Sequence, residues 1–181
     1  MKRWPFAGFV AALAAQRLFE LRLSRRNEQL IRQHGGQEHA PETYPWIVAL
    51  HTAWLGSMLL EVFLGKRKFH PRLAKWALTV FALGQALRFT AIRTLGWRWS
   101  TRILIVPDVP PVRQGIYRYL RHPNYLGVQL EIFSAPLVHS AYLTSTVFSL
   151  ANLWLLKDRI RREEQALEDA THAGEDSDAL A

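Results

Sequence analysis

There is no cysteine among the 181 residues. That absence excludes disulfides, thiolate metal sites and a cysteine nucleophile, and it leaves the redox compartment open. There is also no Gly-x-Gly-x-x-Gly run, so nothing supports a dinucleotide-binding domain, although a membrane reductase does not require one. No internal repeat is found. Acidic residues are few relative to basic ones, 15 against 23, for a net charge of +8. A basic excess suits nucleic acid, an anionic membrane surface or an anionic small molecule, and only the placement of the charges separates these. The length allows one domain. Mean hydropathy is close to zero, at -0.06, a value that a soluble protein would also show. What argues for a membrane is clustering: the apolar residues, 49 % of the chain, fall in blocks.

Five blocks are read, at about Trp4–Leu23, Tyr44–Gly65, Pro71–Leu95, Tyr125–Val138 and Ala141–Leu156. The second and third approach the roughly 20 residues that cross a bilayer core. The fourth is short, so a tilted helix or a helical hairpin is open there. Lys2 and Arg3 precede the first block as in a signal peptide. No convincing small-residue cleavage site follows, however, and Arg17 and Glu20 suit a signal core badly, so a retained helix is expected. Between the third and fourth blocks, residues 96–121 combine Trp97, Trp99, several arginines, Pro107, Pro110, Pro111 and Gly115. This reads as an interfacial loop with broken backbone. Trp4, Trp46, Trp76, Trp97 and Trp99 all fall near block ends, as an aromatic belt would. Residues 171–181 are acidic and small, and a disordered tail is expected.

Five crossings put the termini on opposite sides. One side takes Lys2, Arg3, Lys66, Arg67, Lys68 and Arg72. The other takes Arg22, Arg25, Arg26 and Arg32, then Arg98, Arg102, Arg113, Arg118 and Arg121, then Lys157, Arg159, Arg161 and Arg162. The second side holds about twice as many and is the cytoplasmic one by the positive-inside rule. Because most of these charges flank apolar blocks, nucleic acid loses as an explanation. The expectation is an all-α integral-membrane protein of about five transmembrane helices, multi-pass in the cell (inner) membrane. Its N-terminus lies outside, and its C-terminus and active site are cytoplasmic. A three-helix half, 1–95, precedes a C-terminal half, 96–170.

Two segments carry chemistry. In Gly115-Ile-Tyr117-Arg-Tyr119-Leu-Arg121-His122-Pro123-Asn124-Tyr125-Leu-Gly127, Pro123 pushes His122 out of helical backbone and suits the first position of a helix. His122 then sits at a helix entrance beside Arg121. The free N–H groups there suit a carboxylate or phosphate, or the segment is a plain interfacial turn touching lipid head groups. Tyr117 and Tyr119 are two apart, so one is free to stack on a ligand while the other packs. In Lys157-Asp-Arg159-Ile-Arg-Arg162-Glu163-Glu164-Gln-Ala-Leu167, Asp158–Arg162 has the order of a solvated helical ion pair, acid before base. Arg159–Glu163 has the reverse order, which hints at another reason for their placement.

Together these segments resemble the isoprenylcysteine carboxyl methyltransferases: Arg-His-Pro-x-Tyr-x-Gly at Arg121–Gly127, preceded by Gly115 and Tyr117 and followed by Arg-Ile-x-x-Glu-Glu-x-x-Leu at Arg159–Leu167. The resemblance implies a membrane-embedded enzyme that binds S-adenosylmethionine in a pocket made by the C-terminal half. His122, Tyr125, Gly127, Tyr117, Glu163 and Glu164 would contact the cofactor, with Arg121 near the acceptor oxygen. In the N-terminal half, Gln16-Arg17-Leu18-x-Glu20, Arg26-Asn27-Glu28, Tyr44-Pro45-Trp46, Leu50-His51-Thr52 and Glu61 resemble a bacterial subgroup. That subgroup methylates hydroxyl groups of long-chain alkylpyrones and related type III polyketide products. Arg98-Trp99 and Glu131 extend this likeness, and the N-terminal half is expected to choose the acceptor.

Ionisable residues inside apolar blocks usually face a bundle interior or a watered cavity. Arg17 and Glu20, three apart, are expected to neutralise each other. His51 and Glu61 are too far apart on one helix to touch and need partners elsewhere. Glu131, six residues after Tyr125, is a candidate for a direct site role beside a structural one. Methyl transfer from a sulfonium is an in-line displacement that needs alignment and no metal. A 4-hydroxypyrone and a prenylcysteine carboxylate are both largely ionised at neutral pH, so a fixed arginine, Arg121 or Arg159, suffices to orient the acceptor. The alternatives are a prenylcysteine carboxyl methyltransferase using the same cofactor site, and a non-catalytic membrane scaffold or lipid-binding protein. In every reading the partners are a lipophilic small molecule and membrane lipids, not nucleic acid.

Overall fold

The computed structural model describes residues 3–107 and 109–179, with side chains as far as Ala170. Five α-helices are present among the described residues: α1 (Arg3–Gln33), α2 (Tyr44–Leu64), α3 (Pro71–Leu95), α4 (Pro123–Leu137) and α5 (Tyr142–Ala179). Helices α2, α3 and α4 start with a proline at their first or second position, where its missing N–H costs nothing. Helices α1 and α5 outrun the apolar blocks that announced them. After Leu23 no proline or glycine occurs before Gly35, and after Leu156 none before Gly174, so nothing breaks either helix. α1 stops where Gly35 takes φ 80° and the Gly36 N–H returns to the Ile31 carbonyl at 2.9 Å, a glycine C-cap. Over 171–179, where a disordered tail was expected, the backbone continues as helix; residues 180 and 181 lie outside the described residues.

The fold is mostly helical, as expected, with one short strand pair added to the helices. β1 (Gln37–His39) and β2 (Ile103–Ile105) form an antiparallel ribbon in the register Gln37↔Ile105, Glu38↔Leu104 and His39↔Ile103. Each strand has three residues, too few for a period-2 pattern to show, and the partners are far apart in sequence.

One stretch among the described residues, Pro41–Leu64, is long and apolar enough to cross a membrane by composition. α4 is too short for such a run, and the other helices carry charges, some of which the structure turns inward. Glu20, Arg88 and Glu131 are buried, while Leu18, Phe19, Trp46, Leu60, Leu83, Phe89, Leu150 and Trp154 stand exposed. Polar groups inside and bulky apolar groups outside suit a lipid surround.

The inward charges form one cluster. Glu20 accepts from Arg17 at 2.7 Å and from Arg88 at 2.6 Å, Glu131 accepts from Arg88 at 2.8 Å, and Glu131 also accepts from Arg17. Two positive and two negative charges therefore join α1, α3 and α4. Gln16 and Gln85 exchange bonds of 2.9 and 3.0 Å alongside. α3 lies closest on α4 at paired glycines: a Cβ on Gly127 would stand 2.5 Å from Arg88 Cγ and 2.7 Å from the Gly84 carbonyl oxygen.

Pro136 lies inside α4 and has no N–H to offer the carbonyl four residues back. That carbonyl, of Ile132, instead accepts from the buried Trp54 indole at 3.2 Å, which ties α2 to α4. Glu61 finds its partners at the start of α5, accepting from the backbone N–H groups of Leu143 and Thr144 at 3.1 and 2.7 Å. A carboxylate there complements the positive end of the helix.

Glu131→Ala leaves the buried Arg88 and the half-buried Arg17 with one carboxylate. It is expected to lower stability by about 3–5 kcal/mol, whereas Asp158→Ala, at an exposed ion pair, is expected to leave the unfolding midpoint nearly unchanged. Denaturant unfolding in mixed micelles checks both.

Candidate active site

The two short motifs meet where the N-terminus of α4 faces the polar part of α5. His122 precedes α4 in non-helical backbone, with Pro123 at the first helical position. Its ring lies flat against Tyr125, with centroids 5.5 Å apart, and Nε2 lies 3.2 Å from Glu164. The Tyr125 hydroxyl donates to Glu163 and accepts from Arg159 Nε at 2.9 Å. Arg159 Nη2 donates to the Thr101 carbonyl at 2.7 Å. Arg159 and Glu163 thus do not pair with each other; both grip one phenol, which explains their reversed order. Asp158 and Arg162 do pair, at 2.7 Å.

The irregular segment that carries Thr101 is held from α1. Asn27 Nδ2 donates to the carbonyls of Gly96 and Trp99 at 3.2 and 2.8 Å, and the Thr101 N–H donates to the Ser24 hydroxyl at 2.9 Å. Arg102 joins further elements, at 2.5 Å from Glu38, 3.6 Å from Glu28 and 4.2 Å from the Tyr44 ring centroid. At Glu38 partial burial pushes the carboxyl pKa upward. Hydrogen bonds from Arg102 and Arg32 outweigh that and hold it below the usual range.

Two cavities open on this framework. The first, of about 200 Å³, lies under β2 and the 109–112 segment, with Tyr117, Arg121, His122 and Glu163 on its wall. Burial, and then the nearby Glu163 charge, push the Tyr117 phenol pKa up, so this hydroxyl stays protonated and cannot act as a base. The second, of about 320 Å³, runs between α1, α2 and α5 and is mostly apolar, with Leu18, Ile47, Leu55 and Leu155 among its lining. Arg17, His51 and Arg159 add polar points to it. Trp99, Ser100, Asn124 and Tyr125 line both cavities, so a ligand in one faces a ligand in the other across these four residues.

Of the residues singled out from sequence, His122, Tyr125, Tyr117, Glu163 and Arg121 line the first cavity and Arg159 the second. Arg121 has a side chain 88 % exposed, paired with Glu164 at 3.6 Å, whereas Arg159 is 4 % exposed. Glu164 lines neither cavity and touches His122 and Arg121. Gly127 and Glu131 line neither cavity: the first is the contact point with α3, and the second is enclosed in the ion cluster. Tyr119 is 78 % exposed, so Tyr117 is the tyrosine turned to the site. Trp99 departs from the expected aromatic belt, being 2 % exposed while Trp4 and Trp46 are open. Sequence reasoning also missed Asn124, an unspecified position of its motif, and the ribbon. The run Ile103-Leu104-Ile105-Val106, β-branched and bounded by Arg102 and Pro107, was a signal for a strand.

Residues 77–169 match the model of the isoprenylcysteine carboxyl methyltransferase (ICMT) family. The uncharacterized protein YpbQ of Bacillus subtilis strain 168 is 37 % identical over 163 residues, 88 % of this chain and 95 % of that protein. The protein-S-isoprenylcysteine O-methyltransferase of Tribolium castaneum is 28 % identical over 131 residues, 71 % of this chain and 46 % of that one. Among solved structures, the eukaryotic intramembrane Ras methyltransferase ICMT superposes with a TM-score of 0.54 at 25 % identity. The match covers 68 % of this chain and 45 % of that chain.

The lowered pKa of Glu38 has a consequence for acid stability. The contribution of this carboxylate is complete above its usual value of about 4.5 and is lost as pH falls below that, through the lowered folded-state value. Amide protection in 37–39 and 103–105 is expected to drop in that acid window. In Glu38→Gln it should be weaker at neutral pH and flat across the same range, as hydrogen-exchange protection factors would show.

Proposed function

Because the chain belongs to the isoprenylcysteine carboxyl methyltransferase family, we propose that it is an integral-membrane O-methyltransferase. It moves a methyl group from S-adenosylmethionine to an ionised oxygen at the head of a long apolar acceptor. The observation that carries this is the pair of cavities of unlike polarity sharing one wall, with a buried arginine fixed beside it.

The first cavity suits S-adenosylmethionine by its chemistry. Tyr117, Ile103, Ile105 and Leu167 offer a flat apolar wall for a purine, and Glu163 offers a carboxylate for hydroxyl or amino groups. Arg121 and the N-terminus of α4 offer positive charge for a carboxylate. Asn124 Oδ1, buried and without a hydrogen-bond partner, adds an acceptor. When bound, the cofactor supplies a sulfonium methyl group that an acceptor oxygen takes in an in-line displacement, leaving a neutral thioether.

The rest is the work of the chain. Arg159 stays charged, and its direction is set by the Tyr125 hydroxyl and the Thr101 carbonyl. It is placed to hold an anionic oxygen at the shared wall. With an acceptor already ionised, no side chain has to remove a proton. The apolar second cavity takes the head of the acceptor tail and keeps water from the oxygen, while the remaining tail lies among lipids. The side that the sequence count makes more basic holds residues 96–121 and the polar part of α5, which supports a cytoplasmic entrance for the cofactor.

For the acceptor, the names of the relatives support a prenylcysteine carboxylate. The long-chain alkylpyrone hydroxyl is the second reading. It draws on Arg17, Tyr44, His51 and Thr52, which belong to the N-terminal segments resembling the polyketide subgroup and line the second cavity.

The test is purified protein in mild detergent with methyl-labelled S-adenosylmethionine, offered a farnesylated cysteine and an alkylpyrone in parallel. Label on the cysteine carboxylate supports the first acceptor, and label on the pyrone oxygen the second. Folded protein that fails to bind S-adenosylmethionine would sink both. Arg159→Met is expected to lower kcat/KM by about 10²–10³ with cofactor affinity retained. Arg121→Gln, at the exposed pair, changes it less than about five-fold.

A further inference from the structure

Buried indole N–H groups almost always find an acceptor. Trp54 follows the rule through the Ile132 carbonyl. Trp99 does not: its Nε1 is buried with no partner in the protein. An unmet buried donor costs about 1–3 kcal/mol, so it calls for a ligand.

Its surroundings say which ligand. Trp99 forms part of the wall common to both cavities. Its backbone is tied on both sides, the carbonyl to Asn27 at 2.8 Å and the N–H to the Gly96 carbonyl at 3.2 Å. Two residues on, the Thr101 carbonyl receives Arg159. The backbone that carries the indole is therefore fixed in the same frame as the arginine, and the ring lies in the wall that the two cavities share. An indole nitrogen only donates, so its partner must be an acceptor. Asn124 Oδ1, on the same wall, is also unpartnered, so the two do not satisfy each other.

We propose that the Trp99 indole N–H holds the ionised oxygen of the methyl acceptor, as an uncharged donor working beside Arg159. The inference rests on the reading of the site as an O-methyltransferase. A division of labour follows. Arg159 supplies charge, and Trp99 supplies direction without further charge, so the anion is oriented yet not neutralised so fully that its nucleophilicity is lost.

The test removes one atom group and keeps the ring. Trp99→Phe loses the N–H, and the benzothiophene analogue of tryptophan incorporated at position 99 replaces N–H by sulfur with the bicyclic shape intact, should the phenylalanine variant fold poorly. Loss of a hydrogen bond to a charged group predicts a fall in kcat/KM for the acceptor of roughly 10- to 100-fold. S-adenosylmethionine affinity measured by calorimetry should stay within about two-fold of the parent protein. In parallel, indole-¹⁵N-labelled protein is titrated with whichever of N-acetyl-S-farnesylcysteine or a long-chain alkylpyrone takes label. The Trp99 signal, assigned by its loss in the variant or the analogue, should move downfield more than the other six of the seven indole signals. The O-methylated product should not reproduce the shift. Transfer at the parent rate in both altered proteins, or a Trp99 signal indifferent to the anion, overturns the proposal and leaves the methyltransferase reading standing. No transfer to either acceptor by the parent protein counts against that reading itself, and the inference falls with it.

Discussion

Two arginines and two glutamates are enclosed between α1, α3 and α4, in a molecule whose outer surface carries leucine, phenylalanine and tryptophan. A charge in such surroundings is tolerated only when opposed and hydrogen-bonded. Glu131, fully buried, meets both Arg17 and Arg88, and Glu20 meets the same two from the other side. Removing any member leaves three charges of which one is uncompensated, so the cluster ties the rotations of the three helices to one another. The glycine contact of α3 on α4, one turn from Glu131, closes the remaining gap.

The consequences reach the site along α1. Once Arg17 and Glu20 are set, Ser24 and Asn27 follow on the same helix one and two turns later, and these hold the segment 96–101 by its backbone. That segment offers the Thr101 carbonyl to Arg159 and places Trp99 on the wall between the cavities. A structural cluster and a reactive frame are thus joined by about three turns of helix. This explains how Glu131, which lines neither cavity, still bears on the geometry of the residues that do.

The two cavities differ because the elements around them differ. The first is built on broken backbone, where a helix entrance and charged side chains give polar points beside the apolar ribbon. The second is built on intact helices, whose backbone groups are satisfied internally and which present mostly side-chain hydrocarbon. A water-borne cofactor and a lipid-borne acceptor need such a difference, and a methyl group crosses between them only where the linings meet. Arg159 is the charged group buried at that boundary, while Arg121 is held at the exposed rim.

The sequence by itself determined the helices, because apolar blocks, prolines at helix starts and glycines at their ends are local signals. It also determined the family resemblance, because the residues around His122 and Arg159 lie in short ordered runs. Within those runs, the pairing of Asp158 with Arg162 and the odd order of Arg159 and Glu163 were legible from helix periodicity. Tertiary structure alone decided the rest. The ribbon joins Gln37–His39 to Ile103–Ile105 across more than sixty residues, and nothing local in either strand names its partner. Arg17 and Glu20 read as a neutral pair on one helix, yet the cluster is completed by Arg88 and Glu131 from two others. Trp99 reads as an interfacial anchor by composition, because nothing local distinguishes an indole at a head group from one buried in the wall between two cavities. Contacts between distant segments depend on which faces the packed helices turn to one another, and that is a property of the whole assembly rather than of any window of residues.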